Sequence, residues 1–373
     1  MRILVAGGGT AGHINPALAI AGKIKEKDKS AEILFVGRPE GMESILVPKA
    51  GYNYATMEVA GFQRKLSAEN LKRNLQAVGY LISSGSKAEK IINEFKPDIG
   101  IGTGGYVSGP ILRKAAQKGI PIIIHEQNAF PGVTTKMLSR YAECVMLAVE
   151  DAKKHLGSEV KWEVTGNPLR ADVLTYSRVA ARKELELDER PLVLSFGGSL
   201  GARAINEALI PFLAKSGKEG KYNHIHAYGQ YGRWLPEKVE ELGVKIKQCS
   251  NLDIREYIED MPRVLAAADL VICRAGAITL SELQAQGKAS VLIPSPNVAE
   301  NHQFHNAMAL VKRHAASIIE ENELNGEKLI ETAEGLLNSP EELRQMGVNA
   351  QKMAIVDSSD RIYSIIQKIA SKI

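Results

Sequence analysis

The first two dozen residues constrain the fold more than any other stretch. Met1 to Ala6 reads Met-Arg-Ile-Leu-Val-Ala, an apolar run suited to a buried strand. Gly7-Gly8-Gly9-Thr10-Ala11-Gly12-His13 follows at once, and residues 16–24 read as a helix with Pro16 near its start, where a missing N–H costs nothing. A strand, a glycine turn and a helix start gather backbone N–H groups at the positive end of the helix, a geometry suited to a phosphate or pyrophosphate. Gly7, Gly9 and Gly12 also fit the dinucleotide fingerprint G-x-G-x-x-G. That fingerprint expects a carboxylate at the tip of the second strand, and here the run 32–36 ends in Gly37-Arg38. What survives of it is an NADP-dependent oxidoreductase, with Arg38 on the extra phosphate. The plainer alternative is a turn that packs helix on sheet and binds nothing. His13 points away from both, because a titratable group directly after an anion loop is placed for proton transfer.

Short apolar runs alternate with helical stretches along the whole chain. In the first half strands are predicted at 2–6, 32–36, 52–58, 98–102, 121–125, 143–148 and 160–164. In the second half they are predicted at 192–196, 222–227, 244–248, 269–273, 290–293 and 315–319. This is the α/β pattern, with parallel sheets covered on both faces and ligands expected beyond the carboxyl ends of the strands. Three such ends in the first half carry glycine-rich or polar loops: 7–13, Gly102-Thr103-Gly104-Gly105-Tyr106, and His125-Glu126-Gln127-Asn128. Four polar residues in a row at the end of a buried strand read as a site rather than as packing.

Thr165-Gly166-Asn167-Pro168 interrupts both strand and helix patterns and marks a domain boundary. The expected division is 1–164, 165–350 and a terminal helical segment, 351–373, that packs back on the first domain, with Ile362, Ile366, Ile369 and Ile373 in register. The second domain repeats the opening unit: 192–196 runs into Gly197-Gly198-Ser199-Leu200-Gly201-Ala202-Arg203. Further on, 269–273 runs into Arg274-Ala275-Gly276-Ala277-Ile278-Thr279-Leu280-Ser281-Glu282, again a small-residue turn before a helix start. Glu282 would either complement the helix dipole or accept hydrogen bonds from a pair of ribose hydroxyls. A polar cluster, Pro294 to Gln303, follows the next strand and includes His302.

A chain of 373 residues suits two domains. A net charge of +4 is compatible with anionic ligands or an anionic membrane surface and speaks against a nucleic-acid partner. Cys144, Cys249 and Cys273 are widely spaced and odd in number, so neither a disulfide framework nor a zinc site is expected. The first residues read as a strand rather than a secretion leader, and no run approaches the roughly 20 apolar residues of a membrane helix. A cytoplasmic protein is expected, with an amphipathic stretch at 70–95 (Leu71, Leu75, Val78 and Leu81, near Lys65, Lys72 and Arg73) as a core stripe or a membrane-surface patch.

Six motifs, 7–21, 102–110, 125–128, 165–170, 195–203 and 273–282, together resemble the MurG-type N-acetylglucosaminyltransferases of peptidoglycan synthesis, in the same order and over nearly the whole chain. The resemblance implies the GT-B fold, two Rossmann-like domains facing across a cleft. It implies an inverting transfer of N-acetylglucosamine from UDP-GlcNAc to the C4 hydroxyl of the muramyl sugar on an undecaprenyl-pyrophosphate lipid. The donor would sit in the second domain, with Ala277, Ile278, Thr279, Leu280 and Ser281 cradling the UDP and Glu282 on the ribose. Ser199 would reach a phosphate, Ile258 would present backbone to the uracil, and Arg170 and Gln303 would complete the pocket. In the first domain Thr10, Ala11, Gly12 and Asn128 would face the sugar, and Gly9, Gly104, Gly105 and Tyr106 the acceptor. His13 is the candidate base and Glu126 the second candidate. The helix start at 276–281 with Arg170 would stabilise the leaving UDP, so no metal cofactor is expected. Peripheral attachment to the cytoplasmic face of the membrane, and contacts with other cell-wall or division proteins, are implied as well. Ala11 departs from the family pattern, where many members carry glycine, and alanine restricts φ. The rival readings are the NADP enzyme, a transferase or epimerase of this architecture with another glycolipid or UDP-sugar, and an idle UDP-sugar-binding regulator.

Overall fold

A computed structural model describes residues 1–59 and 84–372, so Lys65, Leu71, Lys72, Arg73, Leu75, Val78, Leu81 and Ile373 lie outside the described residues. The chain forms two compact units. One comprises Met1–Leu169 with Val356–Ile373, the other Arg170–Ile355. The partition falls at 169/170 and 355/356, against the expected 164/165 and 350/351, because residues 165–167 are tied by hydrogen bonds to strands of the first unit.

In the first unit seven strands, β1 (Arg2–Gly7), β2 (Glu32–Gly37), β3 (Asn53–Thr56), β4 (Ile99–Gly104), β5 (Ile122–Glu126), β6 (Cys144–Leu147) and β7 (Trp162–Val164), lie in the order β3-β2-β1-β4-β5-β6-β7. Every neighbouring pair is parallel, with Val5 opposite both Phe35 and Ile101. Side chains alternate between two buried layers, as strand geometry requires. Ile3, Val5, Phe35, Ile99 and Ile101 face the helix Ala11–Lys27 and the helix Ser358–Ala370, whose Ile362, Ile365, Ile366 and Ile369 are buried there. Leu4, Ala6, Val36, Ile122 and Ile124 face Ile111, Leu112 and Ala115 of the helix Ser108–Gln117.

The second unit is built the same way. Strands β8 (Leu192–Phe196), β9 (Asn223–Ala227), β10 (Leu252–Arg255), β11 (Leu270–Cys273), β12 (Ala289–Leu292) and β13 (Ser317–Ile318) are ordered β10-β9-β8-β11-β12-β13, again all parallel. In each sheet the strand order reverses beside the first strand, between β1 and β4 and between β8 and β11. Adjacent loops diverge to opposite faces at such a switch point and leave a crevice for a ligand. Both opening glycine loops stand there.

Two expectations at the level of elements give way. The helix after the first loop begins at Ala11, so Pro16 lies inside it and leaves the carbonyl of exposed Gly12 without its intrahelical partner. The strand expected at 244–248 is a 3-10 turn, and β10 forms at 252–255. Val244-Lys-Ile-Lys alternates like a strand, but the chain turns there, with Gln248 N and Cys249 N bonded to the carbonyls of Lys245 and Ile246, and β10 begins only after Asn251, which donates to the carbonyls of Ser216 and Tyr222. Among the described residues no helix is long and apolar enough to cross a membrane.

The second sheet encloses a polar cluster. Ser195 Oγ lies 2.9 Å from both His224 Nε2 and His226 Nδ1, and His226 Nδ1 lies 3.1 Å from the Ser195 carbonyl. The carbonyl accepts, so Nδ1 of His226 carries the proton and the serine hydroxyl donates to His224. Burial pushes His224 down to about 3 and His226 to about 4. Unfolded histidine titrates near 6.5, so the unfolded chain takes up protons that the folded unit refuses. Stability should be full above about pH 6.5 and fall as pH drops toward 4, by up to about 1.4 kcal/mol per pH unit for each histidine. Thermal unfolding between pH 7.5 and 5 should show this slope, and His226→Asn should flatten it; an unchanged slope in the variant would remove these imidazoles from the account.

Candidate active site

The chemistry of the first unit gathers where β1, β4 and β5 end. The loop after β1 and the loop after β4 touch along their backbones. Gly8 N donates to the Gly104 carbonyl (3.4 Å), and Gly105, at φ +84°, lies so close that a Cβ there would stand 2.3 Å from the Gly8 carbonyl oxygen. Only glycine fits that approach. His13, in the first turn of the helix, lays its imidazole against Gly104 and directs Nδ1 at the Gly8 carbonyl, 3.0 Å away. A carbonyl accepts, so Nδ1 is protonated in the neutral ring and Nε2 carries the lone pair. Nε2 has no partner among the described residues.

The N–H groups of Thr10, Ala11 and Gly12 are likewise unengaged, and all three residues are exposed. His13 N and Ile14 N already bond to the Thr10 carbonyl, closing the first turn. Ala11 is an ordinary first helical residue with negative φ, so alanine fits there without strain; in this loop Gly9 needs to be glycine for its φ of +85°, and Gly7 and Gly8 for want of room beside Thr103 and Glu43. Tyr106 is 62% exposed beside the loop.

The tetrad 125–128 is a brace, where polarity alone suggested a site. His125 Nε2 donates to the Gly166 carbonyl (3.0 Å), its Nδ1 accepts from Gln127 Nε2 (3.0 Å), and Asn167 donates to the Gln127 carbonyl (3.3 Å). Burial holds His125 below its ordinary range, in keeping with a neutral structural ring. Glu126 is 3% exposed and fully engaged. One oxygen accepts from Asn128 N and Asn128 Nδ2 (both 3.0 Å), the other from Gly132 N (3.0 Å) and Thr135 Oγ1 (2.6 Å). A carboxylate with four donors on it is not placed to take a substrate proton, which corrects its reading as a second candidate base. It shapes the turn that carries Asn128.

In the second unit the corresponding edge carries four loops. After β8, Ser199 is exposed with no side-chain partner among the described residues. After β11, the helix Ala277–Ala285 starts with the N–H groups of Ile278 and Thr279 open among the described residues, whereas Leu280 is buried and its N–H bonds to the Gly276 carbonyl (3.0 Å). Leu280 therefore belongs to the core side of the cradle. Ser281 Oγ donates to the Ala277 carbonyl (3.1 Å). Glu282, one turn in, lies 3.5 Å from Arg170 Nε, and burial raises its carboxyl while Arg170 holds it down. After β10, Ile258 has a buried side chain and, among the described residues, an unengaged backbone N–H and carbonyl. After β12, Gln303 accepts from Ser295 N (2.9 Å) and retains its amide hydrogens for a ligand, whereas His302 Nδ1 bonds the Ala299 carbonyl (2.8 Å). Among the described residues no group of three His, Cys, Asp or Glu side chains is assembled to hold a metal ion.

Comparison with known proteins places this arrangement. The glycosyltransferase family 28 N-terminal domain matches residues 3–147, and the glycosyltransferase family 28 C-terminal domain matches residues 192–362. This chain belongs to glycosyltransferase family 28. Among similar members of the family is the UDP-N-acetylglucosamine--N-acetylmuramyl-(pentapeptide) pyrophosphoryl-undecaprenol N-acetylglucosamine transferase of Thermoanaerobacter sp. (strain X514). It is 46% identical over 99% of this chain and 100% of its own length. The protein of the same name from Ruminiclostridium cellulolyticum is 44% identical over 99% and 100%. The crystal structure of Acinetobacter baumannii MurG superimposes with a TM-score of 0.79 at 30% identity, over 98% of this chain and 99% of that one.

Family 28 membership settles the rivalry at the first loop against the NADP enzyme, and the structure supplies a physical reason. Glu43, which sequence reasoning passed over, is wholly buried beneath the loop and accepts from Gly9 N (3.0 Å) and Arg38 N (3.1 Å). A carboxylate there takes one of the N–H groups a pyrophosphate would need and opposes its charge. The sequence signal was slight, because an acid in the first turn of the helix Glu43–Lys49 reads as an ordinary dipole partner. From the bracing role of Glu126, Glu126→Ala should strand four donors and lower stability by at least about 2 kcal/mol. Urea unfolding followed by circular dichroism measures this; a midpoint equal to wild type would show that the brace is dispensable.

Proposed function

We propose that the chain transfers N-acetylglucosamine from UDP-N-acetylglucosamine to the C4 hydroxyl of the muramyl sugar on undecaprenyl-pyrophosphoryl-MurNAc-pentapeptide, turning lipid I into lipid II, with His13 as the base. Relatives 44–46% identical over nearly the whole chain carry that transferase name. The observation that carries the mechanism is the His13 imidazole, with Nδ1–H on the Gly8 carbonyl and Nε2 unengaged.

The acceptor oxygen attacks the anomeric carbon on the face opposite UDP. As the new C–O bond forms, its proton passes to His13 Nε2, and the bond to the UDP oxygen breaks with its electron pair leaving on the diphosphate. A direct displacement inverts the anomeric centre. Positioned bases typically contribute ~10²–10⁴-fold. Thr10, Ala11 and Gly12 offer N–H groups to the sugar and acceptor, with Asn128 and Tyr106 beside them. In the second unit the open N–H groups of Ile278 and Thr279 at a helix start, with Ser199, receive the diphosphate charge that grows as UDP leaves. Ile258 presents its backbone to the uracil, Gln303 its amide, and Glu282 accepts from the ribose hydroxyls with Arg170 holding it ionised. This arrangement supplies charge stabilisation without a divalent ion. An acceptor anchored in lipid calls for an enzyme that works at a membrane surface, and we propose peripheral attachment at the cytoplasmic face.

His13→Ala should lower kcat about 10²–10⁴-fold with the KM for UDP-GlcNAc little changed. A variant that loses donor affinity and keeps kcat would make His13 a binding residue. Transfer of labelled GlcNAc to the purified lipid acceptor should persist in EDTA. For the donor site, KM for UDP-GlcNAc should rise as pH falls toward the raised titration of Glu282. Arg170→Ala should move that rise to higher pH, since the guanidinium favours the ionised carboxyl; a pH-independent KM in both proteins would remove Glu282 from the ribose.

A further inference from the structure

Glu43 sits in a cradle of three glycines. A Cβ at Gly8, Gly37 or Gly41 would stand 2.5, 2.6 or 2.3 Å from atoms of its side chain, so the carboxylate fits only because these three positions carry no side chain. Its neighbours are Arg38, whose backbone N–H it accepts, and Tyr54, which donates to the Arg38 carbonyl at 2.6 Å. Burial makes the Tyr54 hydroxyl harder to ionise, and the Glu43 charge adds to this. No lysine or arginine forms an ion pair with Glu43 among the described residues. A buried carboxylate so placed rests on the two peptide N–H groups it holds.

One of those N–H groups belongs to the peptide unit that His13 uses. Gly9 N–H and the Gly8 carbonyl are the two ends of a single trans peptide and point in opposite directions. The N–H meets Glu43 Oε2 at 3.0 Å, and the carbonyl meets His13 Nδ1 at 3.0 Å. We propose that Glu43 is a positioning residue for His13, acting through this peptide: by gripping the N–H it aims the carbonyl at Nδ1–H and leaves Nε2 as the proton acceptor. The carboxylate polarises the peptide, and the peptide oxygen holds the imidazole more strongly. A buried carboxylate does this directly for the histidine of a serine-protease triad; here one peptide stands between the two side chains. No proton leaves Glu43, and none needs to. The kinetic side of the proposal rests on the reading of His13 as the base.

The test is ¹⁵N NMR of the full chain with labelled histidine, the His13 signals being assigned by their loss in His13→Gln. In wild type with the ring neutral, His13 should be the Nδ1–H tautomer. Gly9 N–H and Arg38 N–H are held by different carboxylate oxygens, and in Glu43→Gln one of those oxygens becomes an NH₂ group that cannot accept from the N–H it faces. His13 should then become a mixture of tautomers, and kcat should fall about 10- to 100-fold with the KM for UDP-GlcNAc unchanged. A tautomer change with kcat unaltered would uphold the coupling and overturn His13 as base. Wild-type His13 protonated at Nε2, or a folded Glu43→Gln with wild-type tautomer and kcat, overturns the proposal; the first needs no variant to fold.

Discussion

Parallel pairing throughout both sheets is the constraint on which everything else depends. When every strand runs the same way, every strand ends on the same edge, and each loop that follows a strand opens there. Residues far apart in sequence, such as Gly8 and Gly105, or Ile258 and Gln303, share an edge for that reason. The reversal of strand order then decides where on the edge the backbone is least crowded. In the first sheet that place is between β1 and β4, and there the structure sets an imidazole, three open N–H groups and two interlocked glycine turns.

The polar groups near these edges divide by what holds them. His125, Glu126, Gln127 and Asn167 are buried and bonded to one another or to backbone, and they fix the course of the chain between β5 and the segment after β7. His13, Ser199 and the helix starts at 10–12 and 278–279 have bonding capacity turned outward. Chemistry needs the second kind, but the second kind keeps its geometry because of the first. A loop with three open donors collapses onto itself unless something rigid stands behind it.

Much of this was legible in the chain. Apolar runs located the strands because a strand covered on both faces must be apolar along its whole length, as Ile-Leu-Val-Ala and Ile-Ile-Ile are. Edge strand β10 escaped because Leu-Asp-Ile-Arg carries polar groups outward, while a neighbouring alternation that folds as a 3-10 turn resembled a strand more closely. The glycine loops were legible, and so was His13, since spacing alone puts it at the end of the first loop. The roles of 125–128 were not, because four polar residues look the same whether they face a ligand or one another. Glu43 was invisible for a related reason: its importance lies in glycines at 8, 37 and 41 that become neighbours only once β1 and β2 pair.

The helix Ser358–Ala370 lies in the core of the first unit, although the whole second unit precedes it in the chain. During synthesis the first unit therefore waits. Its sheet and the helix Ala11–Lys27 leave the ribosome early, with Ile20 and Ile24 lacking the isoleucines that finally cover them. The second unit, continuous in sequence, has every residue it needs before that cover arrives. So the order in which the units become complete is the reverse of the order in which they begin, and the nascent first unit keeps an unfinished apolar face until residues 358–370 have been made.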